Sequence, residues 1–203
     1  GKGEYGEGDR FMGVAVPDTR KVAKLHNDAS YEVLDALLES EWHEARLCAL
    51  VILAERFKKD SETTVKFYLN HMKGINNWDL VDLSAPYILG VYLLDKNDRQ
   101  VLYHLVESAV MWEQRVAIVS TLMLIRNGQF ADTIKLAECF LNTKHDLMQK
   151  ATGWMLREVG KRDEALLVSF LEQYKKVMPR TMLRYAIEKF SPDQRRYFMG
   201  KYK

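Results

Sequence analysis

Five stretches of this chain superpose without gaps: WHEARLCA (42–49), WDLVDLSA (78–85), MWEQRVAI (111–118), DLMQKATG (146–153) and RTMLRYAI (180–187). Their fifth positions fall at 46, 82, 115, 150 and 184, separated by 36, 33, 35 and 34 residues. A period of that length holds two helices and a turn. A lone helical pair cannot bury its own apolar face, so successive pairs stack, and the second helix of each pair lines one concave surface. The repeat therefore predicts an all-α chain folded as a curved α-solenoid, with a compact helical bundle as the alternative.

Local patterns agree with an all-helical reading. Apolar residues recur at helical spacing over 31–39, 45–57, 64–72, 80–94, 101–108, 115–125, 133–141, 147–159, 164–174 and 181–190. Breaks such as KND (96–98), NG (127–128) and GKRD (160–163) separate these runs. Pro17, Pro179 and Pro192 stand where helices should begin, because a first turn leaves its N–H groups unpaired in any case. No segment reads as a strand. The expected architecture is a right-handed superhelix of HEAT-like repeats, and 203 residues with 47% hydrophobic content suit a single domain with a sizeable core.

The repeat also exposes one exception. Four of the five equivalent positions are cations, Arg46, Arg115, Lys150 and Arg184, whereas the second repeat carries Asp82. A row of cations on equivalent sites of stacked helices makes a concave basic groove of the kind that binds phosphate backbones. The overall net charge of +2 does not by itself argue for nucleic acid. Its distribution is uneven, however: residues 1–102 hold 13 Lys/Arg against 17 Asp/Glu, and residues 103–203 hold 17 against 11. A solvated basic face without a partner remains the plain alternative.

Asp82 admits two readings. In one it joins a salt-bridge ladder with Arg46 or Arg115. In the other it serves chemistry, because Trp78 lies one helical turn before it and Trp154 lies one turn after Lys150, each on the same helix face as its neighbour. Aromatic faces beside a carboxylate in a basic groove suit a flat cationic ligand, although tryptophans at helical spacing are also ordinary core residues. Trp42 and Trp112 are read as core or rim. Cys48 and Cys139 are read as core thiols in a reduced setting, since they share no metal-ligand spacing with the five histidines.

At these residues the chain resembles the AlkD family of alkylpurine DNA glycosylases. WDLVD (78–82), QRVAI with Arg115, KATGWMLRE (150–158) and the opening GKGEYGEGDRFMGVAVPDTRKVAK look like that family's motifs, in order and in register with the repeats. The resemblance covers essentially the whole chain. It implies a stack of HEAT-like repeats that hydrolyses the N-glycosidic bond of N3- or N7-alkylated purines in duplex DNA. By resemblance, Asp82, Trp78 and Trp154 are catalytic residues and Arg115 contacts DNA, with Arg157 as a further backbone contact beside Lys150, Arg46 and Arg184. It also implies another helix ahead of the GKGEYGEGD segment.

Other function classes are narrowed by the residues present. No glycine-rich phosphate loop follows a strand, and no His/Cys/Glu set has zinc spacing, so neither cofactor nor metal is expected. No apolar run approaches the roughly 20 residues of a membrane span. The expected protein is a cytoplasmic monomer acting on alkylated double-stranded DNA. A catalytically silent DNA-binding relative and a protein-binding HEAT scaffold are the alternatives.

Overall fold

The computed structural model describes residues 8–200. The first seven residues of the GKGEYGEGD segment lie outside them, as does the expectation of a further helix ahead of it. Twelve α-helices and no strand occur among the described residues, and an isolated parallel bridge joins Arg10 to Trp42. The chain forms two compact units that meet in sequence at Tyr92 and Leu93.

The first unit holds α1 (Val16–Leu25), α2 (Tyr31–Leu38), α3 (His43–Arg56), α4 (Ser61–Asn70) and α5 (Trp78–Ser84). The second holds α6 (Gln100–Val106), α7 (Met111–Arg126), α8 (Ala131–Cys139), α9 (Asp146–Gly160), α10 (Glu164–Tyr174), α11 (Arg180–Ala186) and α12 (Pro192–Met199). The five aligned stretches fall on α3, α5, α7, α9 and α11, each the second member of a pair. In the first unit α3 packs beside α5, and in the second α7 packs beside α9 and α9 beside α11. The all-α, repeat-based fold read from the sequence is the one observed.

The helix ends follow local chemistry. Asp60 accepts from the Thr63 amide and Asp163 from the Leu166 amide, each satisfying a donor that the first turn leaves open. Ser191 and Gln194 cap α12 reciprocally, after which Pro192 opens the helix. At the far end of α7, Gly128 adopts φ +74°, and the amides of Gly128 and Gln129 return to the carbonyls of Ile125 and Leu124. That pattern is a Schellman closure, and it accounts for the NG break.

Two departures from the predicted runs have clear causes. The run over 80–94 is not one helix, because α5 stops at Ser84 and Pro86 has no N–H to continue the ladder. The chain passes instead through a π turn, Pro86–Gly90, in which the Gly90 amide reaches the Ala85 carbonyl at 2.9 Å. Helices α1 and α12 lie outside the predicted runs, yet Pro17 and Pro192 stand in their first turns.

The core sits on the second helices. Leu47, Leu50 and Leu53 of α3 are enclosed, as are Val116, Ile118, Val119, Leu124 and Ile125 of α7. Full burial of such a side chain contributes about 1.5–3 kcal/mol. The tightest approach is at Gly153 of α9, where a Cβ would stand 2.5 Å from the Met182 carbonyl oxygen and 2.6 Å from Tyr185 Cβ of α11. Only glycine lets these two backbones meet. Of the two cysteines, Cys48 is buried as expected and burial pushes its thiol up. Cys139 is exposed, a correction to the core reading: it is the last residue of α8, where the helix face turns outward.

Candidate functional site

Helix α5 presents one wet face and one dry face. Leu80, Val81 and Ser84 are buried, while Trp78 is 44% exposed and Asp82, one turn further on, is half-buried. A tryptophan left this open on a core helix gives up a large share of its transfer free energy. On the dry face the phenol of Tyr68 bonds Ser84 Oγ at 3.0 Å. That phenol is held well above its usual value, chiefly by burial and further by the negative charge of Asp82, against the pull of the Ser84 hydrogen bond. Asp82 thus stands near enough to the buried Tyr68 phenol to act on it electrostatically.

The head of α5 is tied down by a buried ionic cluster. Asp9 Oδ2 lies 3.0 Å from His43 Nδ1, and Asp79 Oδ2 lies 2.8 Å from His43 Nε2. Arg46 donates to Asp9 Oδ1 at 2.7 Å and to the Ser40 carbonyl at 2.8 Å, while Asn77 donates to Asp9 Oδ2 at 2.7 Å. Asn77 also caps the helix by accepting from the Trp78 amide at 2.7 Å. Burial pushes the His43 imidazole down, but the hydrogen bonds and charges of Asp79 and Asp9 outweigh it and hold the ring above its usual value. Burial likewise raises the Asp9 carboxyl, yet Asn77, His43 and Arg46 together hold it below the ordinary carboxylate range.

Arg46 therefore does not stand in an open row of cations. It is only 4% exposed, and its ionic partner is Asp9, not Asp82, one of the two pairings the ladder reading allows. Placement in the repeat gave Arg46 its helix face; the N-terminal segment crossing that face closes it off. Its neighbour Glu44 is also inside, accepting from the amides of Met12 and Gly13 at 2.9 Å and from Val14 at 3.3 Å. Burial raises the Glu44 carboxyl, but these amides prevail and hold it below its usual value.

In the second unit the expected residues divide between the interior and the surface. Arg115 is 4% exposed and donates to the Leu147 carbonyl at 2.6 Å, joining α7 to the first turn of α9. Lys150, Trp154 and Arg157 follow one another along a single face of α9, all half-buried. Lys150 pairs with Asp146 at 2.6 Å and Arg157 with Glu188. Arg184 on α11 is exposed, with a 3.3 Å hydrogen bond to Thr181 Oγ1. Among the described residues no group of three His, Cys, Asp or Glu side chains is arranged to hold a metal ion, and no helix is long and apolar enough to cross a membrane.

Residues 2–190 match the family model described as DNA alkylation repair enzyme. The chain belongs to that family. A solved structure titled "Predicted DNA alkylation repair enzyme from Enterococcus faecalis" has the same fold, with a TM-score of 0.76 over 91% of this chain and 90% of that one at 19% identity. No curated protein matches the chain.

For a member of the DNA alkylation repair family, the sequence reading overlooked the residues that hold α5 in place. His43, Asp9, Asn77 and Asp79 come together across separations of 34, 36 and 68 residues. A signal was present in α3: His43, Glu44 and Arg46 put three ionisable side chains into one turn of a helix that is otherwise apolar through Leu53. Buried charge of that density requires partners from elsewhere in the chain.

Proposed function

We propose that this protein is a DNA glycosylase that hydrolyses the N-glycosidic bond of N3- or N7-alkylated purines in duplex DNA. The observation that carries the reading is the exposed face of α5, where Trp78 stands 44% open one turn from the half-buried Asp82. Family membership supports it, because the repair of alkylated DNA supplies the substrate class.

The chemistry fits these residue types. A purine alkylated at N3 or N7 is already cationic and leaves deoxyribose without needing protonation, so the demand falls on the sugar, where positive charge develops. Asp82 stabilises that charge electrostatically and orients the attacking water. Trp78 and Trp154 offer negative π faces to the electron-poor sugar. Lys150, Arg157 and Arg184 bind phosphates, and Arg115 supports the reaction by holding α9 in place. The chain works as one functional domain, a cytoplasmic monomer that takes alkylated duplex as its substrate.

The deciding experiment is release of free 7-methylguanine or 3-methyladenine from alkylated duplex DNA by the purified protein. Release above the spontaneous rate is expected. Duplex binding without release would instead mark a silent DNA-binding relative, and neither binding nor release would point to a protein-binding scaffold.

A further inference from the structure

The contacts of His43 define its protonation by geometry alone. Both ring nitrogens face carboxylate oxygens, Nδ1 toward Asp9 at 3.0 Å and Nε2 toward Asp79 at 2.8 Å. An ionised carboxylate only accepts, and a neutral imidazole has a single N–H, so two such contacts call for the imidazolium. The charge count agrees: Asp9 and Asp79 carry two negative charges, and Arg46 together with protonated His43 carries two positive ones. A neutral ring would leave Asp79 without a cation, since Arg46 stays with Asp9, in a site where His43 is 5%, Asp9 6% and Asp79 29% exposed.

The cluster ends on the two residues that flank Trp78. Asn77 is held through its amide to Asp9, and Asp79 through its carboxylate to His43. Asp79 Oδ1 also accepts the Leu80 amide at 2.8 Å, so the side chain bonded to His43 is itself fastened to the α5 backbone. Trp78 is 44% exposed, so burial holds it only in part, and α5 has only seven residues with which to define its own axis.

We propose that His43 is a positioning residue: by bridging Asp9 and Asp79 it fixes the backbone on both sides of Trp78, and with it the direction in which Trp78 and Asp82 project. This rests on the reading of Trp78 and Asp82 as excision residues. The charged groups bonded to the ring or to its partner are Asp9 from the N-terminal segment, Asp79 from α5 and Arg46 from α3, and Glu44 is the next residue of α3. Arg46 is committed to Asp9 and Glu44 to the amides of Met12 to Val14. The Phe11 ring covers His43 at 4.8 Å between centroids. Loss of the proton leaves one N–H for two carboxylates; Asp9 keeps Arg46 and Asn77, so the bridge that opens is the one to Asp79, which frees the Asp79 side of Trp78.

The test follows three signals on the full chain from about pH 5 to about pH 9, a range that spans the ordinary imidazole value. These are the ring carbon shifts of His43 by NMR, the fluorine line of 5-fluorotryptophan at position 78 (assigned by its loss in Trp78→Phe), and single-turnover release of 7-methylguanine with spontaneous release subtracted. The expected result is a Trp78 line that moves with the His43 midpoint, and an excision rate that falls at least on the order of 10-fold above it. Asp79→Asn supplies an amide that donates to a neutral ring, so in that variant His43 titrates lower and the alkaline fall in excision disappears. A role confined to stability would lower the melting temperature without linking the Trp78 line to His43 or showing this relief. A Trp78 line that stays flat while His43 loses its proton, or a His43 ring neutral at pH 7, overturns the inference. If the Trp78 line tracks His43 but no base is ever released, the positioning role stands and the glycosylase reading fails. If base is released while the Trp78 line ignores His43, the glycosylase reading stands and the positioning role fails.

Discussion

Asp82 faces a demand that size and hydrogen bonding alone do not meet. Asp82→Asn keeps both and deletes the charge, so single-turnover release of 7-methylguanine is expected to fall on the order of 100-fold, with duplex affinity retained or raised. If Asp82 were only an ion-pair partner, the variant would instead melt earlier while the folded fraction excised at a near-normal rate. The repeat-equivalent cations separate in the same way. Arg46→Ala leaves Asp9 buried beside one fewer cation and should cost on the order of 3–5 kcal/mol, read as a lower urea midpoint. Arg184→Ala touches an exposed side chain, so the melting temperature should hold while the salt dependence of duplex binding loses about one unit of slope. Equal effects of these two substitutions on stability would contradict the burial difference between them.

Within single elements, backbone spacing governs where side chains stand. Gly153 precedes Trp154 on α9 and meets the Met182 carbonyl of α11 at a distance no Cβ tolerates. Gly153→Ala must push α9 and α11 apart, at about 1–3 kcal/mol for overpacking of this kind. The melting temperature should fall accordingly, and the fluorine line of labelled Trp154 should shift; an unchanged line would mean that α9 absorbs the methyl without moving. In α5 the corresponding device is Pro86, which ends the helix soon after Asp82 and opens the π turn beyond it. The hydrophobic pattern over 80–94 cannot reveal that break, because the π turn keeps Ile88 and Leu89 buried and so preserves the apolar face.

Across the molecule, pH acts through opposite signs at the buried groups of the first unit. Asp9 and Glu44 are held below their ordinary values, so the stability they contribute is present above about pH 4 and is lost as the pH falls through their folded-state values. His43 is held above its ordinary value. Its contribution is complete below about pH 6.5 and is lost as the pH rises through its folded-state value. Urea midpoints measured across pH should therefore decline on both sides of a maximum in the mildly acid range, and His43→Gln should remove the alkaline decline. A midpoint still rising through pH 8 in the wild-type protein would contradict the His43 assignment.

The sequence by itself determined the repeat, the pairing of helices and the faces on which Trp78, Asp82, Lys150, Trp154 and Arg157 lie. Those properties follow from periodicity, in which a residue's neighbours three and four positions away set its direction. Which of the equivalent cations are open to solvent was beyond it. Arg46 and Arg115 share a register with Arg184, yet the first is enclosed against Asp9, 37 residues away, and the second turns inward to Leu147, 32 residues away, while Arg184 stays outside. The same distance hid the partners of His43: the charges of α3 signal that partners exist, but Asp9 and Asp79 stand 34 and 36 residues away. Burial and charge compensation are properties of surfaces brought together from distant segments, and only the tertiary structure decided which surfaces met.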